Sequence, residues 1–308
     1  MFVVCLLTSC GVANLSGTGV ALTPAAYAPV TLTPDKQIGS ASLLQMQTAE
    51  VGGPLRAVQL GYVSAVAARG NDLFVIDVSR RALLRVNLVS GETRVLTSLA
   101  DASTAGLYVT MDLNVYVVDK SNRSIRQLDW NGTTIRSYAD NASMPAPVDV
   151  TLVGRGDKIV VADGIFSQLV IFNRLGGVRG VVGEQSTAAE IAQSITSIAA
   201  MGQDVLVLDS QMQEVTVFDL SGNRRATYVE DALRSPTAMA VDRCARVFVA
   251  DQIAGKIYVG LPDMTTIEAL ANDNIVNHIT DMWIDGNLLY LAAGADGVKV
   301  MHIEPSCP

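Results

Sequence analysis

A run of apolar residues closed by aspartate recurs along this chain at nearly constant spacing, and that period constrains the fold more than any other feature. Leu73 to Asp77 (LFVID), Val115 to Asp119 (VYVVD), Ile159 to Asp163 (IVVAD), Val205 to Asp209 (VLVLD) and Val247 to Asp251 (VFVAD) are five copies. A sixth, Leu289 to Ala293 (LYLAA), carries alanine where the others carry aspartate. Successive end positions lie 42, 44, 46, 42 and 42 residues apart, an internal repeat that has to be read before any single motif.

Each copy is flanked in the same way. A second apolar run follows after a few polar residues, as in LLRVNL from Leu83 or VTVFDL from Val215, and then a turn such as Ser90-Gly91 or Asn131-Gly132. A less regular run (TRVLTSL, TTIRSYA) comes next, and one more apolar run precedes each aspartate-ended segment, as in PTAMAVD at 236 to 242. Four short strands per unit, with turn signals about every ten residues, are an all-β signature. Six such units predict a six-bladed β-propeller with four-stranded blades. With 308 residues, 49% of them hydrophobic, the chain can fill such a ring.

The last copy runs out after its third strand, VKVMHI at 298 to 303, so an N-terminal strand is predicted to close the last blade. The segment ASLLQMQTAE at 41 to 50 precedes the first unit and is the expected closing strand. Closure of this kind removes the open edge between first and last blades.

The pattern of PTAMAVDRCARVFVADQIAGKIYV resembles the NHL repeat family, over about Ser40 to Glu304. Of the Asn-x-Arg that often follows the family's aspartate, Asn122-Arg123 is the adjacent remnant. The resemblance implies a propeller used mainly for binding. An eight-bladed quinoprotein-type ring is the structural rival, but its recurring tryptophan is missing, since the chain holds only Trp130 and Trp283.

The amino terminus carries an address. Phe2 to Leu7 is apolar and ends in Leu7-Thr8-Ser9-Cys10, which resembles the lipobox of bacterial lipoproteins, with Cys10 as the acylated residue. The run falls short of the roughly 18 to 20 apolar residues that span a bilayer. An ordinary cleaved signal and a buried strand start are the other readings of it. The resemblance implies a signal peptide at 1–9 and a lipid-anchored protein of the cell envelope. Gly11, where aspartate would mark inner-membrane retention, points to the outer membrane. Residues 10–39, rich in Gly, Ala, Ser, Thr and Pro, read as a flexible tether, and 40–308 as the propeller.

The formal charge of −8 lacks a basic block, and aromatic residues make up 5%, so nucleic acid is not an expected partner. The five recurring aspartates invite a reading as an acidic ring, but equivalent positions in different blades lie too far apart to share an ion. An aspartate ending a strand accepts N–H groups of the following turn, which suffices. Two histidines, His278 and His302, cannot supply a three-histidine zinc site, and no G-x-S-x-G elbow accompanies them.

Aligning PVDVTLV, PTAMAVD and HITDMWID puts Asp149, Ala238 and Asp281 at one position of the innermost strands. Asp149 and Asp281 are therefore candidate channel-facing acids, half a ring apart. They could hold Ca²⁺, as lactonase propellers do, or remain solvated in a polar channel. Cys244 and Cys307 fall on the same side of neighbouring blades and form a candidate disulfide. Two functions follow: a non-enzymatic envelope platform for a protein, glycan or surface-assembly partner, with no cofactor, or a metal-dependent lactonase- or lyase-like hydrolase working in the channel.

Overall fold

The computed structural model describes residues 30–39, 44–47, 55–103, 106–183, 191–229, 233–261, 267–270 and 278–307. The signal, Cys10 and most of the tether lie outside them. The described chain is all-β: six blades of four antiparallel strands form a ring, and one 3₁₀ turn spans Lys120–Asn122. No helix among the described residues is long and apolar enough to cross a membrane.

The innermost strands are Val63–Arg69, Leu107–Val109, Pro147–Val153, Ile195–Met201, Pro236–Val241 and Asp281–Asp285 in blades 1 to 6. Each pairs antiparallel with the second strand behind it, which ends in aspartate in blades 1 to 5 and in alanine in blade 6. Those second strands read as unbroken apolar runs because both of their faces are covered, each by a neighbouring blade. Val115–Asp119 and Val247–Asp251 are buried at every position. Fourth strands lie at the rim and are largely uncovered, as in Thr134–Tyr138, where only Tyr138 is buried. The core accordingly sits between blades: Phe74, Tyr116, Tyr138 and Phe172 share one cluster across blades 1 to 3.

We call the side where inner strands begin the entry face and the side where they end the exit face. The strand-ending aspartates and the turns after them lie at entry, and the turns joining third to fourth strands lie at exit.

An N-terminal strand does close blade 6, pairing outside Gly297–Glu304. It is Thr31–Gly39, however, and not 41 to 50, so the boundary at residue 39 between tether and propeller has to move before residue 31. The cause is readable in the strand itself. As a rim strand it has one covered face, with only Leu32 and Ile38 buried, and Pro34 stands where the register shifts, a position that donates no ladder bond. Proline and sparse apolar residues therefore imitate a tether. Within the segment expected to close the ring, Leu44–Gln47 instead joins blade 1, parallel to Glu92–Ser98 and antiparallel to Leu55–Val58, making that sheet six-stranded.

Candidate functional site in the central channel

The strand-ending aspartates are structural staples. Asp163 is fully buried; its Oδ1 accepts from Ile165 N (3.0 Å) and Phe166 N (2.8 Å) of the turn that follows, and its Oδ2 accepts from Ala146 N (2.6 Å) of the segment arriving from blade 2. Asp77 does the same with Arg80 N and Gly61 N, and Asp209 with Gln211 N, Met212 N and Gln193 N. Each carboxylate thus fixes a hairpin and also the incoming inter-blade connection, a second task the sequence pattern did not announce.

The channel acids are placed differently. In four blades a register shift falls just after the first residue of the inner strand, as between Pro147 and Asp149 or Ile195 and Ser197. Ala65, Asp149, Ser197 and Ala238 follow it as equivalents, each set against the residue just before the end of its second strand, and Asp281, set against Ala292, matches them in blade 6, where Ala293 stands in the place of the aspartate. Asp149 Oδ2 accepts from Ile198 N (2.8 Å) and Ser197 Oγ (3.1 Å) of blade 4, while Oδ1 accepts from its own Val150 N (2.8 Å). Asp281 Oδ2 accepts from Val66 N of blade 1 and its Oδ1 from Met282 N, both at 2.8 Å. Each carboxylate therefore ties its blade to the next one.

Burial pushes the Asp149 carboxyl up to about 6, against the hydrogen bonds from Ile198, Val150 and Ser197, which pull it down. Burial first and the Asp149 charge second raise Asp281 well above the usual carboxylate range. Gly106 of blade 2 faces Asp149 so closely that a Cβ there would stand 2.6 Å from the Asp149 Cα.

Two cavities meet at this waist and share Asp149, Ser197 and Asp281. The entry-side cavity, about 320 Å³, is lined by Ser64, Thr196, Thr237 and Thr280. Its hydroxyls are engaged: Ser64 Oγ donates to Ala102 O, and Thr237 Oγ1 to Ile279 O, both at 2.8 Å. The exit-side cavity, about 610 Å³, opens between Arg69, Tyr108, Met111, Met239, Arg243 and Trp283. Trp283 meets Tyr108 edge to face at 5.2 Å and donates from Nε1 to Ala68 O at 2.7 Å.

A channel cation would have Asp149 and Asp281 as its anionic anchors and would need further oxygens from the lining, since Ca²⁺ takes six to eight. Among the described residues, the one cluster of three metal-ligating groups is Asp242, Cys244 and Cys307. There the two cysteines are joined as a disulfide, with Cα atoms 5.8 Å apart, and so offer no thiolate. That bridge ties the C-terminal segment to the first turn of blade 5. Beside it the buried Arg246 donates from Nε to Asp242 Oδ2 (2.5 Å) and from Nη1 to Pro305 O (2.8 Å). His278 is exposed at the entry face, 3.3 Å from Gln252 Nε2, and His302 lies near Asp35 at the rim, so neither is in the channel waist.

No protein-family model matches the sequence, and no curated protein does. The fold has clear likenesses. A catalytically inactive variant of virginiamycin B lyase from Staphylococcus aureus, with quinupristin, superposes with a TM-score of 0.62 at 11% identity, covering 89% of this chain and 99% of that one. A streptogramin B lyase gives 0.61 at 11% identity, covering 90% and 98%. A protein of unknown function from Bacteroides thetaiotaomicron gives 0.65 at 14% identity, covering 90% and 77%. At these identities the likeness is one of fold: this chain is a six-bladed β-propeller.

Proposed function

We propose that the protein is a non-enzymatic binding platform of the cell envelope, an NHL-type propeller held by lipid at Cys10. It presents loops of the ring to a protein, glycan or surface-assembly partner. The observation that carries this reading is the use made of the channel acids. Asp149 and Asp281 both accept backbone N–H groups of the following blade, so the polar groups nearest a catalytic position are engaged in holding the ring. What is left to meet a ligand are the loops, and on the entry face Ile165, Met212 and Ile253 stand exposed in the equivalent turns of three consecutive blades. Affinity capture with the full chain, from outer membranes solubilised in mild detergent, tests the reading. A stoichiometric envelope partner lost on Ile165→Ser with Ile253→Ser is the expected result. Recovery of none removes the reading's support.

A lactonase- or lyase-like hydrolase using a channel metal is the second reading. It is favoured by the raised Asp149 carboxyl and by the propeller lyases among the fold's likenesses. Metal analysis of the purified full chain separates the two: stoichiometric Ca²⁺ or Zn²⁺ lost on Asp149→Asn would favour the hydrolase.

A further inference from the structure

Four exposed apolar side chains crowd one part of the exit face. Val89 is 78% exposed, Met111 77%, Trp130 48% and Leu175 77%. Val89, Trp130 and Leu175 occupy the turn between third and fourth strands in blades 1, 2 and 3, and Met111 the inner turn of blade 2. Consecutive blades and a shared turn position set Val89, Trp130 and Leu175 in a row of separate tips, with Met111 on the channel side of the same face.

The tips are held in place. In each outer turn a short polar side chain caps the backbone: Asn87 Oδ1 accepts from Val89 N (3.0 Å), Asp129 Oδ1 from Asn131 N (2.9 Å) and Asn173 Oδ1 from Leu175 N (2.9 Å). Neighbouring blades brace them further. Arg85 of blade 1 donates to Trp130 O at 3.2 Å and lies 5.1 Å over the indole, and Arg136 of blade 2 donates to Leu175 O at 3.0 Å. Fixed apolar tips keep little conformational freedom to lose on binding.

The same face receives the preceding chain. Thr31, where the closing strand begins, pairs with Glu304, whose strand ends at exit beside the turn at Asn287. The chain thus comes to the ring from the side on which the tips project.

We propose that the exit face rests on a lipid bilayer, with Val89, Met111, Trp130 and Leu175 seated at the headgroup level. An amphipathic indole favours that depth, and isolated tips can each enter a deformable surface where a rigid partner would need a matching groove. The tips are apolar, so binding to a neutral bilayer should be insensitive to salt. The larger cavity then opens toward the membrane, and the entry-face turns point away from it toward solvent. The proposal goes beyond the platform reading and stands without acylation of Cys10.

The test uses the full chain with Cys10→Ser, which cannot take a lipid, and Trp283→Phe, which leaves Trp130 as the sole indole. Phosphatidylcholine vesicles with acyl chains brominated at carbons near the headgroup are compared with unbrominated ones. Trp130 emission should fall by about half on the brominated vesicles, in low and high salt alike. Adding Val89→Ser, Met111→Ser and Leu175→Ser should weaken vesicle partition about tenfold or more, with an unchanged melting temperature. Flotation with no quenching of Trp130 would overturn the proposal, because the bilayer would then be held by the apolar amino terminus alone. Quenching equal in the triple variant would overturn it as well. So would a photo-crosslinker at position 175 that captures a protein, or a second copy of this chain, in native membranes.

Discussion

Asp149 and Asp281 hold one position in two inner strands, yet the seams they tie are built differently. At the seam from blade 3 to blade 4, Asp149 is the side chain that reaches across, to Ile198 N and Ser197 Oγ, and just past the strand ends Gly154 N donates to Gly202 O at 3.3 Å. At the seam from blade 6 to blade 1, three alternate residues reach across. Asp281 takes Val66 N, Trp283 gives Nε1 to Ala68 O, and Asp285 takes Gly70 N and the Arg69 guanidinium. Alternation along a strand puts these three side chains on one face, so the seam closes like a zipper. The zippered seam is the one at which the ring closes, where blade 6 borrows its outermost strand from the amino-terminal side of the chain. A ring whose ends meet without zippering could open there first, and polar rungs of fixed length also set the register of the closure.

The largest expected effect comes from removing the middle rung. Trp283 packs on core clusters to both sides of blade 1, so Trp283→Ala should cost about 3 to 4 kcal/mol in chemical unfolding. Thr151, two residues after Asp149 on its own strand, is the matching position, and Thr151→Ala should cost about 1 kcal/mol. Equal losses at the two positions would mean that the closure seam is not special.

Gly106→Ala acts on the other seam from its far side. The added Cβ meets the Asp149 Oδ1 and, beside it, the backbone of blade 3 at the Asp149 Cα (2.6 Å) and Val148 O (3.1 Å), so something rigid has to shift. A loss of about 3 kcal/mol is expected, with the Asp149 titration disturbed in the same variant. A melting temperature like that of the parent would show that blade 2 can retreat from Asp149 at little cost.

Much of this was legible in the linear sequence, for a physical reason. Blade number, strand order and the equivalence of Asp149 with Asp281 follow from a period, and a period survives in one dimension. Contacts across a seam do not. Val66 and Asp281 are 215 residues apart, and nothing local to Trp283 or Asp285 marks them as rungs. Gly106 reads as an ordinary loop glycine until Asp149 is placed beside it. The closing strand was missed for a related reason: at the rim, one covered face asks for only two apolar residues, Leu32 and Ile38, and proline is tolerated between them.

The seam that Asp149 ties should also respond to pH. With the Asp149 carboxyl raised to about 6 in the folded chain, the unfolded chain ionises first as pH climbs from about 4. The stability contributed by the raised value is complete below the ordinary aspartate range and is lost as pH passes through about 6. Relative to Asp149→Asn, which cannot ionise, the parent should lose about 2 kcal/mol between pH 4 and pH 7. A difference that stays constant with pH would place Asp149 in a wetter setting than its neighbours imply.

The smallest effect links the seams to each other. The Asp149 charge is the second cause of the raised Asp281 carboxyl, after burial, although the two residues belong to blades on opposite sides of the channel. Asp149→Asn removes that charge and leaves Asp281 with its own partners, Val66 N and Met282 N, untouched. The Asp281 carboxyl carbon, followed by NMR, should then titrate at lower pH than in the parent, yet still above a solvent-exposed aspartate because its burial is unchanged. A midpoint that does not move would show that channel water screens one carboxylate from the other, leaving the seams electrostatically independent. A fall all the way to the exposed value would instead make the facing charge, and not burial, the main reason that Asp281 keeps its proton.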